Sequence, residues 1–383
     1  MPLAIPTDQE KAAVRKAYQE GRPTRVPVTL STNARVVLLN RQWNAEGWTF
    51  EQAATDPRTH IAVALQHELY RRTVLSKCMD EPTALPDVWA IGLNVYNVYE
   101  AAFFGAAIDY TPNQVPDTIP PLADEDRKHE VFDIDVEHPL DNPFIRDRMA
   151  FWREMEAASE GMTFEGRPVK LGPWTLCGSD GPVTVACNLR GADNFMMDMV
   201  ADPDYADRLM GHITQASIHR RRAFEGYWGD RIGRGNGLAD DSCVLISNQM
   251  YADQVLKHHR AFYEAQPDRP RSMHMCGDAT RLFPMMHEQL NVVNFDTGFP
   301  VDFGQLREQL GDDVAIQGGP EVALLLNGTP QQVYDRAKGI LRSGVMRGGK
   351  FLLREGNNLP PNVPEGNLQA MYTACLEHGR HES

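Results

Sequence analysis

The stretch Ser272-Met273-His274-Met275-Cys276-Gly277-Asp278 puts a short apolar strand, residues 272–275, directly before a reactive pair. Alternate residues of a strand share a face, so His274 and Cys276 address one point. Imidazole and thiolate together make a zinc-type pair. A buried structural His and Cys accounts for the same two residues. The same order, strand and then reactive group, recurs along the chain. Residues 26–30, 88–91, 169–171, 231–239, 272–275, 292–295, 314–317 and 351–353 read as strands, with helix-like stretches between most of them. Asp240 and Asp241, Asp296, Gln317 to Gly319 and Glu355 to Asn358 follow their ends. Strand–helix alternation on this scale predicts an α/β protein with a parallel sheet. Eight strands favour a single (β/α)8 TIM barrel, whose active site gathers at the carboxyl ends of the strands.

The barrel accounts for most of the 383 residues. Residues 1–24 read as an N-terminal helical extension, and residues 110–142, rich in Pro and Asp, as a long loop or lid. Residues 202–224 begin acidic and end at Arg220-Arg221-Arg222, which suits a helix dipole. Thr329-Pro330 opens a second capped helix. Net charge is -14, with no Lys/Arg run longer than the three arginines 220–222. That balance argues against nucleic acid or an anionic membrane as partner; an anionic small molecule remains open, because a pocket can be locally positive. Cys78, Cys177, Cys187, Cys243, Cys276 and Cys375 are scattered without a CxxC pair, so a disulfide framework is not expected. The polar N-terminus lacks the apolar segment of a signal peptide. A cytoplasmic protein, which can be a homo-oligomer, is the expectation.

Adjacent carboxylates at a strand end cannot both point inward. One of Asp240 and Asp241 is therefore expected to face the site, and the other to cap a helix or bind a basic residue. Gln317-Gly318-Gly319-Pro320 reads as a strand-to-helix turn that permits close backbone approach by a ligand, or simply a tight turn. His258 and His259 diverge by about 100° on a helix; surface placement is expected for them.

These motifs resemble a known family. Gly172-Pro173-Trp174-Thr175-Leu176, Arg190-Gly191, Met197-Asp198, Asp202-Pro203 and Leu238-Ala239-Asp240-Asp241-Ser242 are similar to segments of uroporphyrinogen-decarboxylase-like proteins. So are His274 to Asp278, Ala315-Ile316-Gln317-Gly318, Leu326-Asn327-Gly328-Thr329-Pro330 and Gly356-Asn357-Asn358-Leu359-Pro360-Pro361. The resemblance covers residues 85–378. The His-x-Cys signature is similar to that of the corrinoid-linked methyltransferases of this superfamily. It implies zinc on His274 and Cys276, and a corrinoid (cobalamin), on a partner protein. The methyl donor or acceptor would be a small molecule, with O-demethylation among the reactions. The resemblance places a third ligand, a Cys, where this chain has Asn357. Glu355 is expected to replace it, ahead of Asp241 and then Cys243. Asp241, Asp296 and Glu355 are the catalytic candidates; Gln317, Gly318, Gly319 and Asn357 are the cofactor-binding ones. The decarboxylase's Arg-rich signature is not matched by residues 25–41, although Arg35 and Arg41 can meet a carboxylate. Decarboxylation of a carboxylated ring and a metal-free binding subunit are the alternatives.

Overall fold

The computed structural model describes residues 5–176, 180–233 and 235–381; Cys177, one of the six cysteines, lies outside them. The chain forms strands β1 (Trp89–Ile91), β2 (Ala107–Asp109), β3 (Asp117–Ile119), β4 (Thr163–Phe164) and β5 (Arg167–Leu171). Strands β6 (Gly237–Ala239), β7 (Arg271–Met275), β8 (Val292–Thr297), β9 (Ala315–Gly318) and β10 (Phe351–Leu353) follow. The last five make one parallel sheet, in the order β10-β9-β8-β7-β6. Parallel neighbours need a crossover, and helices supply it. Phe283–Leu290 joins β7 to β8, Phe303–Leu310 joins β8 to β9, and Val322–Asn327 with Pro330–Arg342 joins β9 to β10. Thr329 caps the last of these through a reciprocal capping box with Gln332.

Bridges extend the sheet at both ends. Ala239 of β6 pairs in parallel with Asp180, on the chain that continues from β5, and β5 pairs in parallel with β1. At the other edge Leu353 pairs in parallel with Val28. Residues 26–30 with β10, the strands β6 to β10 in series, and β1 with β5 are thus paired neighbours. Among the described residues β6 pairs with the chain beyond β5 only at Asp180, and no strand pairing joins residues 26–30 to β1. Residues 26–30 are also not a regular strand, contrary to expectation. Pro27 has no N–H to give, and the Val28 N–H donates to the buried Asp80 carboxylate at 2.7 Å. Strand β6 is shorter than the expected 231–239: Arg231 ends a 3-10 turn and the strand begins at Gly237.

The outer faces of the strands are the apolar ones. Met273, Met275, Phe295, Ile316 and Phe351 are fully buried in the main core. A second cluster packs Trp89, Ile91 and Val169 of β1 and β5 against Ile61, Leu65, Phe151 and Met155 of helices Pro57–Thr73 and Pro143–Ser159. The N-terminal helix Asp8–Gln19 opens with a Thr7/Glu10 capping box, and its buried Lys11 reaches the carbonyls of Ser76 and Glu81. The two ends of the fold meet: the Val26 N–H donates to Gly379 O at 2.8 Å, and Arg25 and Tyr372 both bind Asp80.

Residues 110–142 contain β3 and three 3-10 turns. They strap onto the helices Pro182–Arg190 and Pro203–Trp228. Leu122 N–H donates to Leu189 O, Arg190 donates to the carbonyls of Leu122 and Ala123, and the Tyr205 hydroxyl donates to Lys128 O. Among the described residues no helix is long and apolar enough to cross a membrane.

Candidate active site at the carboxyl ends of the strands

Strand β7 delivers His274, and Cys276 follows two residues on. Their side chains converge: His274 Nε2 lies 3.1 Å from Cys276 Sγ. Asp241, one residue into the 3-10 turn after β6, completes the group. Its Oδ1 accepts the Cys276 N–H at 2.6 Å and lies 3.9 Å from His274 Nε2. One oxygen, one nitrogen and one sulfur donor thus fall within 4.8 Å of one another.

A second layer orients them. His274 Nδ1 lies 2.8 Å from Asp296 Oδ2 on β8, and Arg354, directly after β10, donates to the same oxygen at 2.8 Å. Arg354 also donates to Glu355 Oε1 at 2.8 Å and to Asn357 O at 2.9 Å; the Ser31 N–H donates to Glu355 Oε1 at 3.0 Å. Glu355 Oε2 and Asp296 Oδ1 are buried without a hydrogen-bond partner among the described residues. Burial works against the charge on His274, but the bonds to Asp296 and Cys276 outweigh it and hold the imidazolium up to about 10. Burial, helped by Asp241, raises the Cys276 thiol, while His274 pulls it down.

Burial pushes the Glu355 carboxyl up to about 7, against the pull of Arg354. Such a group binds its proton more tightly in the folded chain than in the unfolded one. Its favourable contribution is complete below the unfolded value of 4.5 and fades as pH rises towards 7. The gap corresponds to about 3 kcal/mol. Glu355→Gln is expected to flatten the fall in urea midpoint between pH 5 and pH 8; an unchanged pH slope would contradict this.

Asp240 takes the other role. It is fully buried and accepts the N–H groups of Thr184 at 2.7 Å and Val183 at 3.3 Å, so it caps helix Pro182–Arg190. Its Oδ2 also lies 2.8 Å from His259 Nε2, whose Nδ1 meets the Tyr251 hydroxyl at 3.0 Å. Gly181 is required there, because a Cβ would lie 2.4 Å from Asp240 Cβ. His258 and His259 are therefore not surface residues: both are buried, His258 against Asp207 and His259 against Asp240.

The other candidates are placed as follows. Glu355, expected as the third ligand, lies outside the cluster, with Oε1 engaged by Arg354 and Ser31; Asp241 is the carboxylate beside His274 and Cys276. Cys243 is buried in a separate group with Asp240 and His259. Asn357 joins the network through its backbone carbonyl. Gln317 donates to Asn294 at 2.9 Å. The close approach that Gly318 and Gly319 allow is to the protein's own chain. A Cβ at 318 would lie 2.2 Å from Thr297 Oγ1, and one at 319 would lie 1.8 Å from Arg354 O. The helix beyond them, Val322–Asn327, has only six residues. Gly319→Ala is expected to cost about 1–3 kcal/mol, as overpacking does, because Arg354 must shift. An unchanged urea midpoint would show that the turn yields freely.

Arg354 was not apparent from sequence; a basic residue between a strand and Glu355 was the signal. Arg35 lies close enough to Glu355 and Cys276 to feel their charge, while burial lowers its pKa. Its Nε is buried without a partner among the described residues. Arg41 is exposed, on a rim groove with Trp48 and Pro360.

The chain matches the profile of the uroporphyrinogen decarboxylase (URO-D) family over residues 9–378. It is 28% identical over 198 residues to a methylated-thiol–coenzyme M methyltransferase of Methanosarcina mazei, covering 51% of each chain. It is 25% identical over 250 residues to a uroporphyrinogen decarboxylase of Thermosynechococcus vestitus, covering 61% of this chain and 66% of that one. A methylcobamide:CoM methyltransferase of Methanosarcina acetivorans is 24% identical over 193 residues, 50% of this chain and 54% of its own. The match spans about half the length of these methyltransferases. A solved methyltransferase from Methanosarcina mazei shares the fold, with a TM-score of 0.64 over 97% of this chain and 98% of its own, at 18% identity. With 370 residues inside a single family match, this chain belongs to the uroporphyrinogen decarboxylase (URO-D) family.

Proposed function

We propose that this chain is a methyltransferase of the family, moving a methyl group between a corrinoid on a partner protein and a small molecule, O-demethylation included. The fold we infer for it is a single closed (β/α)8 barrel. The observation that carries this reading is the convergence of Asp241, His274 and Cys276. The donor set fits zinc: a carboxylate, an imidazole and a thiolate leave a fourth position open, as a catalytic site requires. The Asp296 carboxylate on His274 Nδ1 is the outer partner that ligating histidines ordinarily have. Zinc held there would lower the pKa of a bound thiol or hydroxyl and make it a nucleophile at neutral pH.

The chain's own residues do the rest. Asp296 fixes the His274 ring, Arg354 holds Asp296 and Glu355 together, and Asp241 ties the end of β6 to the Cys276 amide. Glu355, poised near 7, can hold or release a proton beside the site. A corrinoid on the partner would supply or take up the methyl group, and the acceptor's thiol or hydroxyl would lose its proton as its new bond to carbon forms.

The test combines elemental analysis with methylcobalamin turnover. About one zinc per chain and thiol-dependent consumption of methylcobalamin are expected. A chain that carries no metal after growth in zinc-supplied medium would sink the zinc reading and leave the metal-free binding subunit. A second reading, decarboxylation of a carboxylated ring, rests on Arg35, whose guanidinium feels the charge of Glu355 and Cys276. Carbon dioxide release without any need for a corrinoid would favour it.

A further inference from the structure

Parallel barrels are ordinarily filled by layers of branched apolar side chains. Here the filling is missing on one side. Apart from Ala315, the residues that β7, β8 and β9 turn away from the helices are Ser272, His274, Asn294, Asp296 and Gln317, all polar and only half-buried. Their neighbours Met273, Phe295 and Ile316 are fully buried on the other face. The polar face borders a cavity of about 570 Å³, within the ~300–1,000 Å³ range of small-molecule pockets. The cavity runs lengthwise. One end lies at Gly235 and Asn236, before β6, beside Arg221 and Glu225 near the end of helix Pro203–Trp228. The other end reaches Ala239, His274, Asp296 and Gln317. Asp241 and Cys276 do not line it. His274 and Asp296 are thus approached from two sides: with Cys276 at the carboxyl ends of the strands, and from below through the interior.

We propose that the fold has a second mouth, at the amino ends of its strands, and that a small, uncharged, hydrogen-bonding molecule enters there and reaches the underside of His274 and Asp296. The lining sets the class of ligand. Two amides and a hydroxyl (Asn294, Gln317 and Ser272) offer donors and acceptors without net charge; the Asn236 amide is spent on Arg221, Tyr263 and Gln266. Among the described residues the charged groups at the mouth are already engaged: Arg221 with Asn236 and Gln266, and Glu225 with Arg269 at 2.6 Å. The inner mouth matters most if a corrinoid protein sits over the carboxyl face, since that approach is then covered. This last point rests on the methyl-transfer reading; the cavity itself does not.

The test measures access with methyl methanethiosulfonate, a small uncharged thiol reagent, on Ser272→Cys protein, following labelling at positions 272 and 276 by peptide mass. Position 272 is expected to label in the folded protein. Gly235→Trp, added to that variant, plugs the mouth. An added Cβ at 235 meets nothing within 4 Å and the backbone there is not left-handed, so the substitution is tolerated. It is expected to slow labelling at 272 at least tenfold and to leave Cys276 within twofold, while Gly235→Ala changes neither. Gly233→Trp is the alternative plug, with equally open space around its Cβ, should circular dichroism show Gly235→Trp to be misfolded. Position 272 labelling only in urea would overturn the proposal, as would a plug that slows neither position or both alike. Labelling needs neither metal nor corrinoid, so it reads the cavity even if methyl transfer fails.

Discussion

Cys276→Ala is expected to abolish zinc binding at the proposed site and to lower methyl transfer at least ~100-fold. The thiolate is the only soft donor in the Asp241–His274–Cys276 group, and zinc affinity rests heavily on such ligands. What remains is one imidazole and one carboxylate, too few for a catalytic site. Removing an outer partner is milder: Asp296→Asn frees the His274 ring from its carboxylate and is expected to cost ~10–100-fold in metal affinity. Titration with zinc and a competing chelator gives the affinities, and methylcobalamin turnover gives the rate. Full metal retained by Cys276→Ala would place the ion elsewhere. An Asp296→Asn effect larger than that of Cys276→Ala would reverse the assigned roles.

The largest expected loss of stability lies away from the site. Glu100 and Arg220 form an ion pair with both side chains fully buried, and Arg220 also lies over the Phe103 ring at 4.7 Å. Glu100→Gln keeps the shape and removes the charge, leaving a guanidinium uncompensated in the core. Losses of about 3–5 kcal/mol follow such single removals. The double replacement Glu100→Leu with Arg220→Met is expected to lose less than Glu100→Gln alone, since it buries no charge. Urea denaturation of the two proteins decides: equal midpoints for wild type and Glu100→Gln would show that water reaches the pair.

Much of the fold was legible because its signals are local. The short apolar runs at 272–275, 292–295, 314–317 and 351–353 reappear as β7 to β10, since each is covered by helices on its apolar face. The pairing of His274 with Cys276 follows from strand period alone. What was not legible depends on partners distant in the chain. Asp240 and Asp241 are chemically identical, and only the Val183 and Thr184 amides, more than fifty residues earlier, decide which one caps a helix. His259 looks like a surface residue until Asp240 and Tyr251 close around it. Residues 26–30 have strand composition, yet Pro27 and the Asp80 carboxylate reduce them to a single bridge. Charge and spacing marked Glu355 as a ligand candidate, and the engagement of its Oε1 by Arg354 and Ser31 depends on residues the spacing does not show.

The stitching of residues 25–29 to Leu353, Tyr372 and Gly379 bears on how the chain is made. A ribosome releases the first strand segment early and its partners more than three hundred residues later. During that interval Val26 and Val28, fully or nearly fully buried in the finished fold, lack their C-terminal partners and have only the segment around Asp80 to pair with. Contacts of such sequence separation form slowly, because loop closure is paid for before they reward it. Nascent chains of this protein therefore depend on late, whole-domain assembly rather than stepwise settling from the N-terminus, and the exposed first segment is where chaperone capture or premature association would act.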